Sequence, residues 1–112
     1  VRENASMKSV IIEMTKKSFG HVGVKNKKNE LIGIITDGDL RRNINRRFLN
    51  ENSKAKLIMT SKPKLVEKNI LVLDALNIMN NNKITCLFVI EKKSHKSPIG
   101  VIHIHDCLRY VS

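Results

Sequence analysis

The residues best suited to binding chemistry form a polar run, Thr36-Asp37-Gly38-Asp39, that follows the apolar segment LIGII. If a strand turns into a helix here, the first helical N–H groups point outward and carry partial positive charge, which suits a phosphate. A threonine hydroxyl at the cap adds a donor, and an aspartate one turn into the helix adds an acceptor. Gly38 lets the backbone approach a ligand. The run is therefore a candidate site for an anionic ligand.

The same residues also fit a structural interpretation. Thr36 and Asp39 match a capping box in which the shorter Asp replaces Glu, and Gly38 then only serves the turn. Arg41 and Arg42 follow in the first helical turn, where each cation costs roughly 0.3–1 kcal/mol against the helix dipole. A bound anion would offset that cost, and so would ion pairs with the neighbouring aspartates. From these residues alone the capping interpretation is favoured, and the ligand interpretation stays open.

A second polar run, His103-Ile104-His105-Asp106, follows the segment PIGVI near the end of the chain. Two histidines two positions apart on a strand face the same side, which raises a metal site. Only Asp106 is near in sequence as a further ligand, so we predict no metal. A histidine can instead donate a hydrogen bond to a phosphate or sugar, and it adds charge when protonated. Packing of both rings at the strand end is the remaining alternative.

The sequence does not predict catalysis. It shows no nucleophile–base pair, no closely placed carboxylate dyad and no phosphate-cradling Gly-rich loop, so we predict that this chain is not itself an enzyme. Cys86 and Cys107 form neither a CxxC motif nor a disulfide ladder, and both lie in apolar settings. Reduced, buried cysteines predict a cytoplasmic location.

The formal net charge of +11 raises nucleic acid as a partner. The lysines and arginines are scattered along the whole chain, however, and the aromatic signatures of nucleic-acid-binding modules are missing from the sequence. We predict no nucleic-acid partner. No run approaches the ~18 apolar residues of a membrane span, and no signal-peptide pattern opens the sequence, so no membrane association is predicted.

The two polar runs are related by an internal repeat. A shift of 65 residues aligns the two halves, and two extra residues in the loop EKKSHKSP extend the alignment to the end. The aligned pairs are Asn4 with Asn69, Met7 with Val72, Ile11 with Leu76, Met14 with Met79, Val24 with Val89, Gly33 with Gly100, Asp39 with Asp106 and Arg42 with Arg109. The chain therefore consists of two copies of one unit.

Each copy is predicted to run helix, strand, strand, helix. The first helices span 4–17 and 69–82, with apolar faces at helical spacing and with Asn4 and Asn69 as caps. Paired strands follow, HVGVK with LIGIIT and CLFVI with PIGVIH. The last helices are predicted from Leu40, Ile44 and Phe48 in copy one and over 106–111 in copy two. A polar connector leads to a short strand at 64–66, and copy one, where only Val1 stands in the equivalent place, is expected to be truncated upstream.

This pattern resembles a tandem pair of CBS domains, small β-α-β-β-α modules. The residues that carry the resemblance are GIITDGDLRR in copy one, IMTSKPKLV in the connector and GVIHIHDCLR in copy two. Together they resemble the C-terminal CBS pair of bacterial arabinose-5-phosphate isomerases, in which a separate sugar-isomerase domain performs catalysis. The resemblance implies an α/β fold of two units, 1–50 and 64–112 joined by 51–63, related by a pseudo-twofold axis with the sheets packed together and the helices outside.

The resemblance also implies a regulatory role. The expected ligand is CMP-Kdo, CMP or an adenine nucleotide, bound by the pair to modulate the attached isomerase domain. The implied ligand-binding residues are Thr36, Asp37, Gly38, Asp39 and Arg42 in the first corner, His103, His105 and Asp106 in the second, and His21, Thr60, Thr85 and Cys86 at the cleft edges. In copy two, His103 replaces the threonine and His105 the glycine, which puts a standard adenosine-phosphate mode in doubt there.

The resemblance further implies assembly. A homodimer of CBS pairs is expected, within a homotetramer of the full-length protein. A structural alternative stays open, in which the pair mainly oligomerises the enzyme through the apolar faces of helices 4–17 and 69–82 and the clefts are vestigial.

Overall fold

The computed structural model of the chain describes residues 1–17, 20–43, 50 and 52–111. They form two compact units, Val1–Pro63 and Lys64–Ser112. Each unit contains one three-stranded sheet and its own helices. Within the described residues, no helix is both long and apolar enough to cross a membrane.

The first unit carries one antiparallel sheet of order β1-β2-β3. Its elements are α1 (Met7–Lys17), β1 (His21–Lys25), β2 (Leu31–Thr36), α2 (Asp37–Asn43), α3 (Ala55–Ile58) and β3 (Thr60–Ser61). Successive residues of β2 alternate in burial, with Leu31, Gly33 and Ile35 buried and Ile32, Ile34 and Thr36 half-buried.

The second unit carries a mixed sheet of order β4-β5-β6, in which β4 runs parallel to β5 and β6 antiparallel to it. Its elements are β4 (Leu65–Glu67), α4 (Val72–Asn82), β5 (Cys86–Lys92), β6 (His95–His103) and α5 (Ile104–Val111). α4 ends at Asn82, and Lys83 caps it with a left-handed backbone (φ 54°) and with hydrogen bonds from its N–H to carbonyls of the last turn.

The strand registers confirm the predicted repeat. His21 lies opposite Thr36 in the first sheet, and their counterparts Cys86 and His103 lie opposite each other in the second. The chain start also follows the repeat, because Arg2 forms a parallel bridge to Lys25 just as Glu67 pairs with Ile90 in parallel.

Both cores are aliphatic, as the composition predicts. The first contains Met7, Val10, Met14, Val22, Val24, Ile35, Ala55 and Ile58, and the second Val66, Ala75, Met79, Leu87 and Cys107. One residue of each predicted helix face is not in the core: Ile11 is 46% exposed and Val72 is 38% exposed.

Three helices begin at residues other than those predicted, and two of the predicted caps are wrong. α1 begins at Met7, and the Ser9 N–H donates to the Ser6 hydroxyl at 3.1 Å, so Ser6 rather than Asn4 caps it. α4 begins after Leu71, which offers no side-chain cap, so Asn69 is not its cap. α5 begins at Ile104, two residues before the predicted start.

The connector is more ordered than predicted, because it holds α3 and β3, which its polar composition did not indicate. The predicted strand at 64–66 is observed one residue later, as β4. Of the predicted helical face in copy one, Leu40 lies on α2, whereas Ile44 and Phe48 lie outside the described residues.

Candidate functional site

The first candidate corner lies where β2 ends at Thr36 and α2 begins at Asp37. The Asp37 N–H donates to the Gly20 carbonyl at 3.1 Å, which ties the corner to the start of β1. Gly20 adopts φ +71°, and a Cβ there would lie 3.1 Å from a carboxylate oxygen of Asp37, so the position requires glycine. The Asp37–Gly20 hydrogen bond and the backbone conformation of Gly20 thus fix the corner before any side-chain hydrogen bond contributes.

Thr36 and Asp39 form a complete capping box. The Asp39 Oδ2 accepts the Thr36 N–H at 2.9 Å and the Thr36 hydroxyl at 3.1 Å, and the Asp39 N–H donates back to that hydroxyl at 3.1 Å. Asp39 is 6% exposed and is the buried charged residue of the described part of the chain. The capping interpretation of this pair is therefore confirmed.

Arg42 forms an ion pair with Asp39 in the first corner. Its Nη2 donates to the Asp39 Oδ1 at 2.5 Å, while 68% of its side chain stays exposed. A Cβ on Gly38 would lie 3.2 Å from the Arg42 Nη1 and 3.5 Å from the Thr36 hydroxyl, so Gly38 leaves room for this arginine. The buried carboxylate of Asp39 thus accepts three hydrogen bonds from within the corner.

The second corner repeats this frame with other side chains. The Ile104 N–H donates to the Thr85 carbonyl at 2.8 Å, as Asp37 does to Gly20. The His103 N–H donates to the Asp106 Oδ2 at 3.1 Å, and the Arg109 Nη2 to the Asp106 Oδ1 at 2.9 Å. The backbone geometry of the two corners is therefore equivalent.

The two corners differ in side-chain access. The Asp106 side chain is 48% exposed, against 9% for Asp39. The imidazoles of His103 and His105 stack with ring centroids 4.8 Å apart, and the His105 N–H donates to the His103 Nδ1 at 3.2 Å. The second corner thus presents a carboxylate, two imidazoles and a guanidinium at its surface. No cluster of three or more His, Cys, Asp or Glu side chains suited to a metal occurs among the described residues.

The cleft-edge residues predicted from the sequence occupy the same sheets as the corners. His21 begins β1 opposite Thr36, and Cys86 begins β5 opposite His103. Thr85 precedes Cys86 and is exposed. Thr60 is exposed on β3 opposite Ile34, two residues before the first corner.

Burial controls the chemistry of the cysteines. Burial, with a smaller contribution from the negative charge of Asp106, raises the pKa of the Cys86 thiol to about 11. The same two causes raise the pKa of Cys107. Both thiols are free of disulfides, and the raised pKa of each favours the thiol over the nucleophilic thiolate.

A cavity lies beside each corner. Most of the residues that line these two cavities were not predicted from the sequence. The first, of about 320 Å³, is lined by Ile11, Met14, Thr15, Gly20, Asp37 and Leu40. The second, of about 210 Å³, is lined by Ile70, Val72, Ala75, Ile102, Asp106 and Cys107. The sequence did contain one indication of each cavity. Ile11 and Val72 belong to the predicted apolar helix faces but are exposed and not part of the cores.

Comparison with known proteins identifies the fold family. The family model of the CBS domain matches residues 1–46 and 55–112, one match for each copy, and the second match includes residues 55–63 of the predicted connector. The chain is 38% identical over 109 residues to arabinose 5-phosphate isomerase KdsD of Yersinia pestis, and 38% identical over 104 residues to KdsD of Pseudomonas aeruginosa. It is 42% identical over 108 residues to the uncharacterized protein RP505 of Rickettsia prowazekii.

These matches cover nearly all of the chain, at 97%, 93% and 96%, but only 32%, 31% and 32% of the relatives. The chain thus spans about a third of the length of the curated relatives that it matches.

Solved structures agree on the fold. A putative signal-transduction protein with CBS domains from Burkholderia ambifaria has a TM-score of 0.83 at 23% identity, over 98% of this chain and 79% of that one. A CBS domain protein from Pyrobaculum aerophilum, complexed with AMP, has a TM-score of 0.83 at 23% identity, over 95% and 79%. The CBS domain pair of protein MJ0100, in complex with 5-methylthioadenosine and S-adenosyl-L-methionine, has a TM-score of 0.83 at 18% identity, over 98% and 84%. Two repeated units, equivalent strand-to-helix corners and these matches together show that the chain belongs to the CBS domain family, as a tandem pair similar to the CBS region of arabinose 5-phosphate isomerases.

Proposed function

We propose that this CBS pair is the ligand-sensing region of an arabinose-5-phosphate isomerase, where it binds an anionic nucleotide or nucleotide-sugar and modulates an attached isomerase domain. The similarity to two KdsD proteins over nearly the whole chain supports the family context. Because the chain covers about a third of those relatives, catalysis belongs to the remainder of the parent protein in this proposal.

The observation that carries the proposal is that the second corner has a carboxylate, two imidazoles and a guanidinium at its surface. Asp106 keeps acceptor capacity at its half-exposed carboxylate, since it accepts two hydrogen bonds in the corner whereas Asp39 accepts three. That carboxylate suits ribose hydroxyls. Arg109 supplies positive charge for a phosphate, and the two imidazoles supply hydrogen-bond donors.

The first corner is the second site of the proposal, and it is less open. A ligand whose hydroxyl groups donate to the Asp39 carboxylate has to displace Arg42, whose exposed side chain can swing outward and contact a phosphate instead. In this proposal the arginine exchanges its partner when the anion arrives. His21, Thr60, Thr85 and Cys86 are proposed as cleft-edge contacts.

The ligand is proposed to be CMP-Kdo, CMP or an adenine nucleotide. CMP-Kdo is the downstream product for which arabinose 5-phosphate is a precursor, so its binding would provide feedback control. Adenine compounds are bound by the Pyrobaculum protein and by protein MJ0100, which share this fold. Feedback requires that the ligand bind the two states of the enzyme with different affinity.

A second candidate function is oligomerisation, in a homodimer of CBS pairs within a homotetrameric parent. It is favoured by exposed apolar side chains on or next to the first helix of each copy, namely Ile11 (46%), Ile12 (57%), Leu71 (70%) and Leu73 (60%).

Ligand-dependent melting of the chain tests the sensor function. CMP-Kdo, CMP, AMP and ATP are each added at millimolar concentration, and one of them is expected to raise the melting temperature, since a ligand that binds only the folded state stabilises it. Asp106→Ala is expected to reduce the rise, whereas Asp74→Ala, which removes an exposed acid from α4, should leave it unchanged. If none of the four compounds shifts the melting temperature, the sensor function loses its support and oligomerisation becomes the better account.

A further inference from the structure

The second corner carries two stacked imidazoles that the first corner lacks. His103 ends β6 and is half-buried, whereas His105 lies in the first turn of α5 and is exposed. Their ring centroids are 4.8 Å apart, with an angle of 22° between the ring planes. The repeat places Thr36 and Gly38 at these two positions of the first corner, so the histidine pair is where the two corners differ in chemistry.

The His105 backbone determines which ring nitrogen of His103 carries the proton. The His105 N–H donates to the His103 Nδ1 at 3.2 Å. A backbone N–H can only donate, so Nδ1 must offer its lone pair, and in a neutral imidazole the proton then lies on Nε2. The bond has the form of the turns in which an aspartate or asparagine side chain accepts from the backbone two residues further on.

Other hydrogen bonds fix the backbone around this contact. The His103 N–H donates to the Asp106 Oδ2 at 3.1 Å, and the Ile104 N–H donates to the Thr85 carbonyl at 2.8 Å. These bonds hold the end of β6 and the start of α5, while the His105 ring covers one face of the His103 ring. The His103 ring therefore has little freedom to flip and exchange its two nitrogens.

The first corner uses the corresponding side chain differently. The Thr36 hydroxyl donates to the Asp39 Oδ2 and accepts the Asp39 N–H, so both of these hydrogen bonds serve the helix cap. At His103, Nδ1 accepts from His105 and so cannot donate to Asp106. The N–H of the neutral His103 ring is at Nε2, the ring nitrogen farther from the backbone.

We propose that His105 is a positioning residue that holds His103 as a hydrogen-bond donor at Nε2. The second corner thereby recognises an oxygen acceptor of its ligand, such as a phosphate or carboxylate oxygen. The exposed guanidinium of Arg109, paired with Asp106 at 2.9 Å, adds positive charge at the same corner. This recognition rests on the proposed ligand-sensing function, because it names the chemistry of the same site.

The same arrangement disfavours metal binding by the histidine pair. A histidine binds a metal through a ring nitrogen whose lone pair is available. In His103 the lone pair of Nδ1 is engaged by His105, and Nε2 carries the proton. The spacing of the two histidines, which raised a metal site in the sequence, therefore serves to position one ring.

Nitrogen NMR of the ligand-free chain tests the positioning at pH 8, above the range in which imidazoles ordinarily titrate. We expect the His103 ring to show the Nε2–H tautomer alone, with a scalar coupling across the hydrogen bond between its Nδ1 and the His105 amide nitrogen. His105→Ala keeps the backbone N–H and should keep both signals. His105→Pro removes that N–H in the first helical turn, where proline is tolerated, and should give a mixture of tautomers without the coupling.

The unsubstituted chain decides the outcome, so the decision stands even if His105→Pro does not fold. A mixture of tautomers in that chain, or no coupling to the His105 amide, overturns the proposal. Equimolar Zn²⁺ should leave the His103 ring nitrogens unshifted, and a shift that marks metal coordination at either nitrogen overturns it as well.

Two substitutions of His103 then test the recognition of an acceptor. His103→Gln keeps an N–H donor far from the backbone, whereas His103→Asn keeps an acceptor for the His105 N–H but has no donor at the distance of Nε2. With whichever of the four compounds raises the melting temperature of the chain, the Gln variant should keep most of the rise and the Asn variant should lose it. Equal rises in both variants overturn the recognition. If none of the four compounds raises the melting temperature while NMR shows the single tautomer, the proposed function fails and the positioning of His103 by His105 stands.

Discussion

At the scale of the residue, two aspartates at equivalent positions have different roles. Asp39 and Asp106 make the same backbone and arginine contacts, but only Asp39 receives a hydroxyl as well and is buried. The sequence showed that Thr36 and Asp39 could form a capping box or a ligand site, and only the geometry shows that the box is complete. Burial depends on what packs over the corner, which the local pattern does not contain.

Removal of Asp39 should therefore destabilise the fold more than removal of Asp106. Asp39→Ala leaves a buried N–H and a hydroxyl without their acceptor and should lower the free energy of unfolding by about 2–3 kcal/mol. Asp106→Ala should cost less than about 1 kcal/mol, because solvent reaches both partners of that ion pair. Urea denaturation measures both values, and equal losses would contradict the difference in burial.

The raised pKa of Cys86 predicts a loss of stability in alkali. In the unfolded chain the thiol ionises near the ordinary cysteine pKa of 9.0, whereas burial in the folded chain raises the pKa of this thiol to about 11. The stabilisation is thus complete below pH 9 and declines as the pH rises from 9 through 11, because only the unfolded state releases the proton in that window. Melting curves across this range should show a smaller decline for Cys86→Ala than for the unsubstituted chain. Identical slopes would indicate an ordinary pKa.

At the scale of the element, short β-rich runs bounded by turn residues were sufficient to predict β1 and β2 with their observed bounds. The helix starts were less predictable, since Asn, Ser and Leu all precede the apolar periodicity and the competition among caps is decided by packing. α3 and β3 were missed because the connector is rich in lysine. Their signal was the apolar triplet Ala55, Ile58 and Met59 within a polar stretch.

The close packing of the Met59 side chain against Gly33 can be tested at this scale. Gly33→Ala should lower the free energy of unfolding by about 1–3 kcal/mol, because Met59 has to leave a packed position. The double variant Gly33→Ala with Met59→Ala should be destabilised by less than the sum of the two single variants, since the clash is gone. Strict additivity in denaturation experiments would show that the two residues do not contact.

At the scale of the whole molecule, the duplication explains most of what the sequence could predict. It aligned both corners and both sheets in advance, and the family comparison confirms two CBS domains. The net charge of +11 was less informative, because the lysines and arginines are scattered along both copies of the sequence. What the pattern could not predict is how the copies diverged, with a buried Asp39 in the first corner and a half-exposed Asp106 in the second.

The central claim is that this CBS pair senses an anionic nucleotide, and amide chemical shifts of the chain during titration with CMP-Kdo, CMP, AMP and ATP test it most directly. We expect one of these compounds to produce saturable shifts concentrated at residues 103–109, with the first corner at 36–42 responding at higher concentration. Shifts that never saturate and follow the exposed lysines, or no shifts at millimolar concentration of any of the four, would contradict the claim.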